Sequence, residues 1–294
     1  MFDRRQVLAG GAALIGAGAS AGALAQTSLP DDPFPQLPPE LGAREHLPEF
    51  VPTRPYDLHG SEQPPELERR VAEALLFAAP YNCRPIDVAL YFRGIGQGDI
   101  PPNLDPGIAA HVQPRYVRGW DRYYNPVILA FFDATRTRPL EGARSGDTTH
   151  WCAAFVNWCI ARAHCPGPEL RRFTRDEIAL GTHSAASSSF RCWEEASDPP
   201  QYGDVIVWSL AGAAPGCSTG AGHVAFFESV NAAGRYSYIG GNQAAPNRIE
   251  GAQQTAITRS SAPANYPMRD RSGATITRVL HSVRGAASLR VRAQ

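Results

Sequence analysis

A thiol in the first turn of a helix, an imidazole at the start of a strand and a carboxamide at the end of the next strand suffice to hydrolyse an amide. Cys152, His223 and Asn242 occupy such places in this chain. Downstream of Cys152, Phe155, Val156, Cys159, Ile160 and Ala163 recur at the spacing of a helix with one buried face. Thr148 or Thr149 is the expected cap of that helix. A helix N-terminus favours an anion, which pushes a thiol there toward the nucleophilic thiolate. Gly222-His223-Val224-Ala225-Phe226-Phe227 reads as a strand that starts at the His. Alternation puts His223, Ala225 and Phe227 on one face, expected to be the face turned to the Cys152 helix. Tyr238-Ile239-Gly240-Gly241-Asn242-Gln243 ends the following strand, and Asn242 is the expected orienting group for the imidazole. Gln243 is the poorer choice, because alternation turns it away. A thiolate–imidazolium pair would lower the Cys152 pKa below about 8.5 and raise that of His223 above about 6.5.

Cysteine on a helix, then histidine, then an amide is the papain chain order. Four stretches carry a closer likeness: Thr149-His150-Trp151-Cys152-Ala153-Ala154-Phe155-Val156-Asn157-Trp158-Cys159, Gly203-Asp204-Val205-Ile206-Val207-Trp208, Gly222-His223-Val224 and Gly240-Gly241-Asn242-Gln243. In this order they resemble the NlpC/CHAP group of papain-like peptidases and amidases, mostly bacterial cell-wall hydrolases, over about residues 110–285. The resemblance implies an α+β fold in which the nucleophile helix packs on an antiparallel sheet. It implies a peptidoglycan or muropeptide substrate and no cofactor. The Ser/Ala-rich stretch 181–190 resembles the segment that follows the nucleophile helix in these families and would form a rim of the cleft. Papain has a Gln shortly before its Cys, and here no Gln lies between Gln113 and Gln201. The Cys152 amide is one oxyanion donor; Asp147, His150 and Tyr124 are weak candidates for the second. Two other readings share these residues: a papain-like acyltransferase or other thiol hydrolase, and a non-catalytic cell-wall-binding module.

The rest of the chain is organised around residues 141–285, the expected papain-like catalytic domain. Residues 1–25 read as a signal peptide. Arg4-Arg5 precedes an Ala/Gly-rich apolar run that ends at Ala23-Leu24-Ala25, a twin-arginine-like pattern implying a periplasmic or secreted protein with no membrane span after cleavage. Residues 26–65 form a Pro-rich linker, residues 66–140 a helical N-terminal subdomain and residues 286–294 a tail. Trp120, Tyr123 and Tyr124 suit either a groove or the core, and core is the commoner use. Basic and acidic residues balance at 28 each, with every basic residue an arginine, so nothing in the charge points to nucleic acid. No CxxC or HExxH spacing suggests a metal. Six cysteines in an exported chain imply disulfides. With Cys152 catalytic and Cys159 on the buried stripe, Cys83, Cys165, Cys192 and Cys217 allow up to two bridges in three connectivities.

Overall fold

A computed structural model describes residues 62–137, 150–168, 173–213, 216–217, 222–245, 247, 249, 252–269 and 274–285. The signal peptide, nearly all of the Pro-rich linker, the loop 141–147 with Thr148 and Thr149, and the tail lie outside the described residues. Helix α1 (Glu66–Ala78) stops ahead of Pro80. Helix α2 (Pro85–Gln97) begins with proline at its first position and ends at Gly98, whose left-handed φ of 98° closes the last turn onto the Gly94 and Ile95 carbonyls. The stretch after it, expected as loop, contains the short α3 (Pro106–Ala109) and a 3-10 turn, Pro114–Val117. Helix α4 (Pro126–Phe131) is capped by Asn125, whose Oδ1 accepts from the Val127 amide at 2.9 Å. The same side chain donates to the Tyr116 and Arg118 carbonyls, each at 2.7 Å, which fixes α4 to the chain before it.

Helix α5 (Cys152–Ala163) is the centre of the molecule. Its sequence stripe marked one buried face, yet all twelve of its residues are buried, Asn157 and Arg162 included. One face meets the sheet; the other is covered by α2 and α4. Phe92 of α2 meets Phe131, Phe155 and Trp158 edge-on at centroid distances of 5.3, 6.3 and 5.5 Å. Such pairs contribute about 0.5–1.5 kcal/mol each beyond burial. Arg162 is buried because its guanidinium donates to the carbonyls of Phe77, Ala79 and Pro168. Trp120 and Tyr124 are core residues and Tyr123 is half-buried.

A short α6 (Arg175–Ala179), capped by Thr174, and a 3-10 turn at Ser187–Cys192 lead into the sheet. Among the described residues the sheet has seven strands, all antiparallel, in the order β1-β5-β4-β3-β2-β7-β6. They are β1 (Arg118–Trp120), β2 (Val205–Leu210), β3 (Gly222–Val230), β4 (Arg235–Ala244), β5 (Ala252–Pro263), β6 (Asn265–Arg269) and β7 (Thr275–Arg284). The fold is α+β as the sequence indicated. The short β1 and β6 were not anticipated, and β1 ties the N-terminal helical region into the sheet. Val205, Val207, Val224, Phe226 and Ile239 belong to the main core with α5, whereas Ile206, Trp208, Ala225, Phe227 and Tyr238 form a second cluster on the opposite face. Cys192 and Cys217 form a disulfide with Cα atoms 5.6 Å apart; Cys83, Cys152, Cys159 and Cys165 are reduced. No helix among the described residues is long and apolar enough to cross a membrane.

Candidate active site

Cys152 is the first residue of α5 and is only 5% exposed. The N-cap position is Trp151, with no capping side-chain hydrogen bond; the expected caps Thr148 and Thr149 lie outside the described residues. What sets the helix start is packing. The Trp151 indole is fully buried beside Phe131, and its Cζ3 and Cε3 atoms meet β4 at Gly241. A Cβ at Gly241 would sit 2.4 Å from Trp151 Cζ3 and 3.0 Å from Phe155 Cβ, so the helix can approach this closely only where the strand has no side chain. Cys152 is thereby held at the end of β4.

Asn242 follows one residue later, with φ +56°, inside a bulge of β4. From Gly240↔Thr258 to Gln243↔Ala256, β4 advances three residues while β5 advances two. The extra residue breaks the alternation. Asn242 does not reach His223; its Nδ2 lies 3.2 Å from Nδ1 of His150, just ahead of the nucleophile helix. His150, a weak candidate in the sequence, is therefore part of the site, and its nearness to the helix start was the only signal for it.

His223 pairs with Trp208 in the β2–β3 ladder. Its ring lies among Trp208 and Tyr238, with centroids 6.3 and 6.0 Å away, and it is 3% exposed. That places it on the face of the second cluster. The expectation that His223, Ala225 and Phe227 face α5 is corrected: Val224 and Phe226 take that side, because the sheet presents its larger apolar set to the helix. His223 still reaches the same stretch of β4 as Trp151. A Cβ at Gly240 would lie 3.2 Å from His223 Nε2, while its neighbour Gly241 carries Trp151 on the other side. Two consecutive glycines let the histidine and the start of α5 press on one strand from opposite faces.

Burial is the main cause that lowers the His223 pKa well below its usual 6.5, and the Arg278 guanidinium adds to it. The imidazolium expected from a preformed ion pair is thus not the resting form. Burial raises the Cys159 thiol well above its usual range, with Cys83 contributing, as suits an inert core residue.

The Ser/Ala-rich rim is anchored by a residue the sequence reading passed over. Asn157, one turn after Cys152, donates to the Ala153 carbonyl at 3.0 Å and the Ser184 carbonyl at 2.9 Å, and accepts from the Thr182 amide at 2.7 Å. Tyr124 is bonded through its amide to Glu62, and Asp147 lies outside the described residues. Among the described residues no group of His, Cys, Asp and Glu is arranged to hold a metal ion.

No curated protein and no solved structure matches the chain. A family match does span the nucleophile helix, the His223 strand and the start of the bulge: residues 144–242 match the CHAP domain.

Proposed function

We propose that the protein hydrolyses amide bonds in peptidoglycan stem peptides, as a cysteine amidase or endopeptidase. CHAP domains are typically amidases or peptidases, and a peptidoglycan substrate fits that family. The observation that carries the cysteine reading is the place of Cys152, the first residue of a fully buried helix within the CHAP segment. The helix start favours negative charge on sulfur. His223, neutral at rest, takes the thiol proton as a general base. The sulfur attacks the amide carbonyl, and the tetrahedral oxyanion is met by the Cys152 amide. Collapse expels the amine, which takes the proton from His223 and leaves a thioester on Cys152. Water, deprotonated by His223, then releases the acid and restores the thiol. Support for the pairing of Cys152 with His223 comes from their chain order inside the CHAP match. Asn242 holds His150 beside the helix start. The twin-arginine-like segment at residues 1–25 supports export before action on the wall.

The test is digestion of purified muropeptides, with new free amines read by mass spectrometry. Cys152→Ala should release none while keeping the wild-type unfolding curve. Cys159→Ala should keep turnover and lose about 1–2 kcal/mol of stability by loosening the core. Wild-type release by Cys152→Ala would end the cysteine mechanism.

A further inference from the structure

We propose that Gln243, across Gly240, is the residue that positions the His223 ring; the role rests on the reading of His223 as the general base. The bulge in β4 is what makes this possible. In a regular strand Gly240 and Gln243 would face opposite sides. With one residue extra, Gln243 returns to the side of Gly240 and His223. Its carboxamide folds back over the glycine, so that a Cβ at Gly240 would lie 2.3 Å from Gln243 Nε2 and 3.2 Å from His223 Nε2. Both nitrogens therefore border the space that a side chain at position 240 would fill.

Both are also unsatisfied. Gln243 is 7% and His223 is 3% exposed, and neither Nε2 has a hydrogen-bond partner. Buried polar atoms rarely go without one. The other end of the amide does have a partner: Gln243 Oε1 accepts from Thr258 Oγ1 at 3.2 Å. The two ends of a carboxamide are nearly equal in size, and a hydroxyl both donates and accepts. A half-turn about the last side-chain bond directs Nε2–H to Thr258 Oγ1 and turns Oε1 toward the side of Gly240 where His223 Nε2 lies. With that rotation made, a small approach of the ring and the amide across Gly240 gives His223 Nε2–H its acceptor. It also places the imidazole proton on Nε2, which leaves Nδ1 bare to receive the thiol proton. Asn242 cannot perform this task, because its side chain lies on His150.

The experiment uses the full mature chain with 15N-labelled histidine. The two ring-nitrogen shifts of His223 report which nitrogen carries the proton, a readout that altered packing alone does not move in a fixed direction. In the wild type they should show one tautomer, protonated at Nε2. Gln243→Leu keeps the bulk and removes the amide; it should give mixed tautomers and lower kcat by about tenfold to a hundredfold with little change in KM. Gln243→Glu restores an acceptor and should restore Nε2 protonation. Gly240→Ala should copy Gln243→Leu by displacing the amide. A wild-type tautomer and rate in Gln243→Leu overturns the proposal. If that variant does not fold, Gln243→Asn decides, because its amide falls short of the ring: unchanged shifts and rate then overturn it. The functional reading fails separately, through an active Cys152→Ala, and leaves the tautomer result standing.

Discussion

At the scale of single residues, chain order was enough to pick out a thiol, an imidazole and an amide, since residue type and helix or strand ends can be read directly. Side-chain direction was not. One extra residue in β4 sends Asn242 to His150 and returns Gln243 to the side of His223, and period-two counting has no way to register it. Adjacent glycines within a strand were the available hint. His223 makes a prediction of its own. Its folded pKa is lowered, so below about pH 6.5 the unfolded chain binds a proton that the native chain refuses. Stability should therefore fall as pH drops from about 6.5, until the native His223 itself protonates. In urea titrations His223→Leu should flatten this limb by up to one proton. His281, lowered by partial burial, Arg191 and Arg284, contributes in the same direction to the slope that remains. An unchanged slope in His223→Leu would mean that His223 is not held neutral.

Among the elements, α1, α2, α4, α5 and the longer strands were legible because each carries a strong period or a start signal such as Pro85 and Pro126, whereas α3 fell in a stretch read as loop and α6 was not anticipated. The three-residue β1 and the five-residue β6 were not, since so short a strand shows no period. Nor was the full burial of α5. Its apolar stripe announces one face, whereas Ala153, Ala154, Trp158 and Ala161 are covered by helices that only the tertiary fold brings near. The close seating of α5 on β4 makes Gly241 the sensitive point between two elements. Gly241→Ala drives a methyl into Trp151, which has nowhere to go. It should cost about 1–3 kcal/mol in denaturant unfolding and reduce kcat by moving the start of α5. Gly167→Ala meets nothing within 4 Å and serves as the control. Equal stability of the two variants would show that α5 is not seated against β4 in this way.

For the whole molecule, the match at residues 144–242 takes in α5 and β3 but omits α1, α2 and most of the sheet's later strands. Phe92 and Arg162 show that these parts are not ornaments: one supplies an aromatic wall for α5, the other ties its end to the end of α1. The proposed export belongs to the full chain as well. Replacing Arg4 and Arg5 by Lys should leave the precursor in the cytoplasm, as read by cell fractionation; normal appearance outside would refute the twin-arginine reading. The choice of Cys192 and Cys217 from three connectivities could not be made by spacing, since only the fold brings the 3-10 turn beside the loop before β3. That bridge sets a practical dilemma at the bench. Laboratory reductants are added to thiol enzymes to keep the nucleophile from oxidising, yet Cys192 is exposed, so the same reagent can open a loop that ends just before the His223 strand. Closing a loop of 25 residues is worth about 3.5 kcal/mol. Turnover measured against dithiothreitol should thus rise, peak and decline, and Cys192→Ala paired with Cys217→Ala should turn that hump into a plateau at a lower melting temperature.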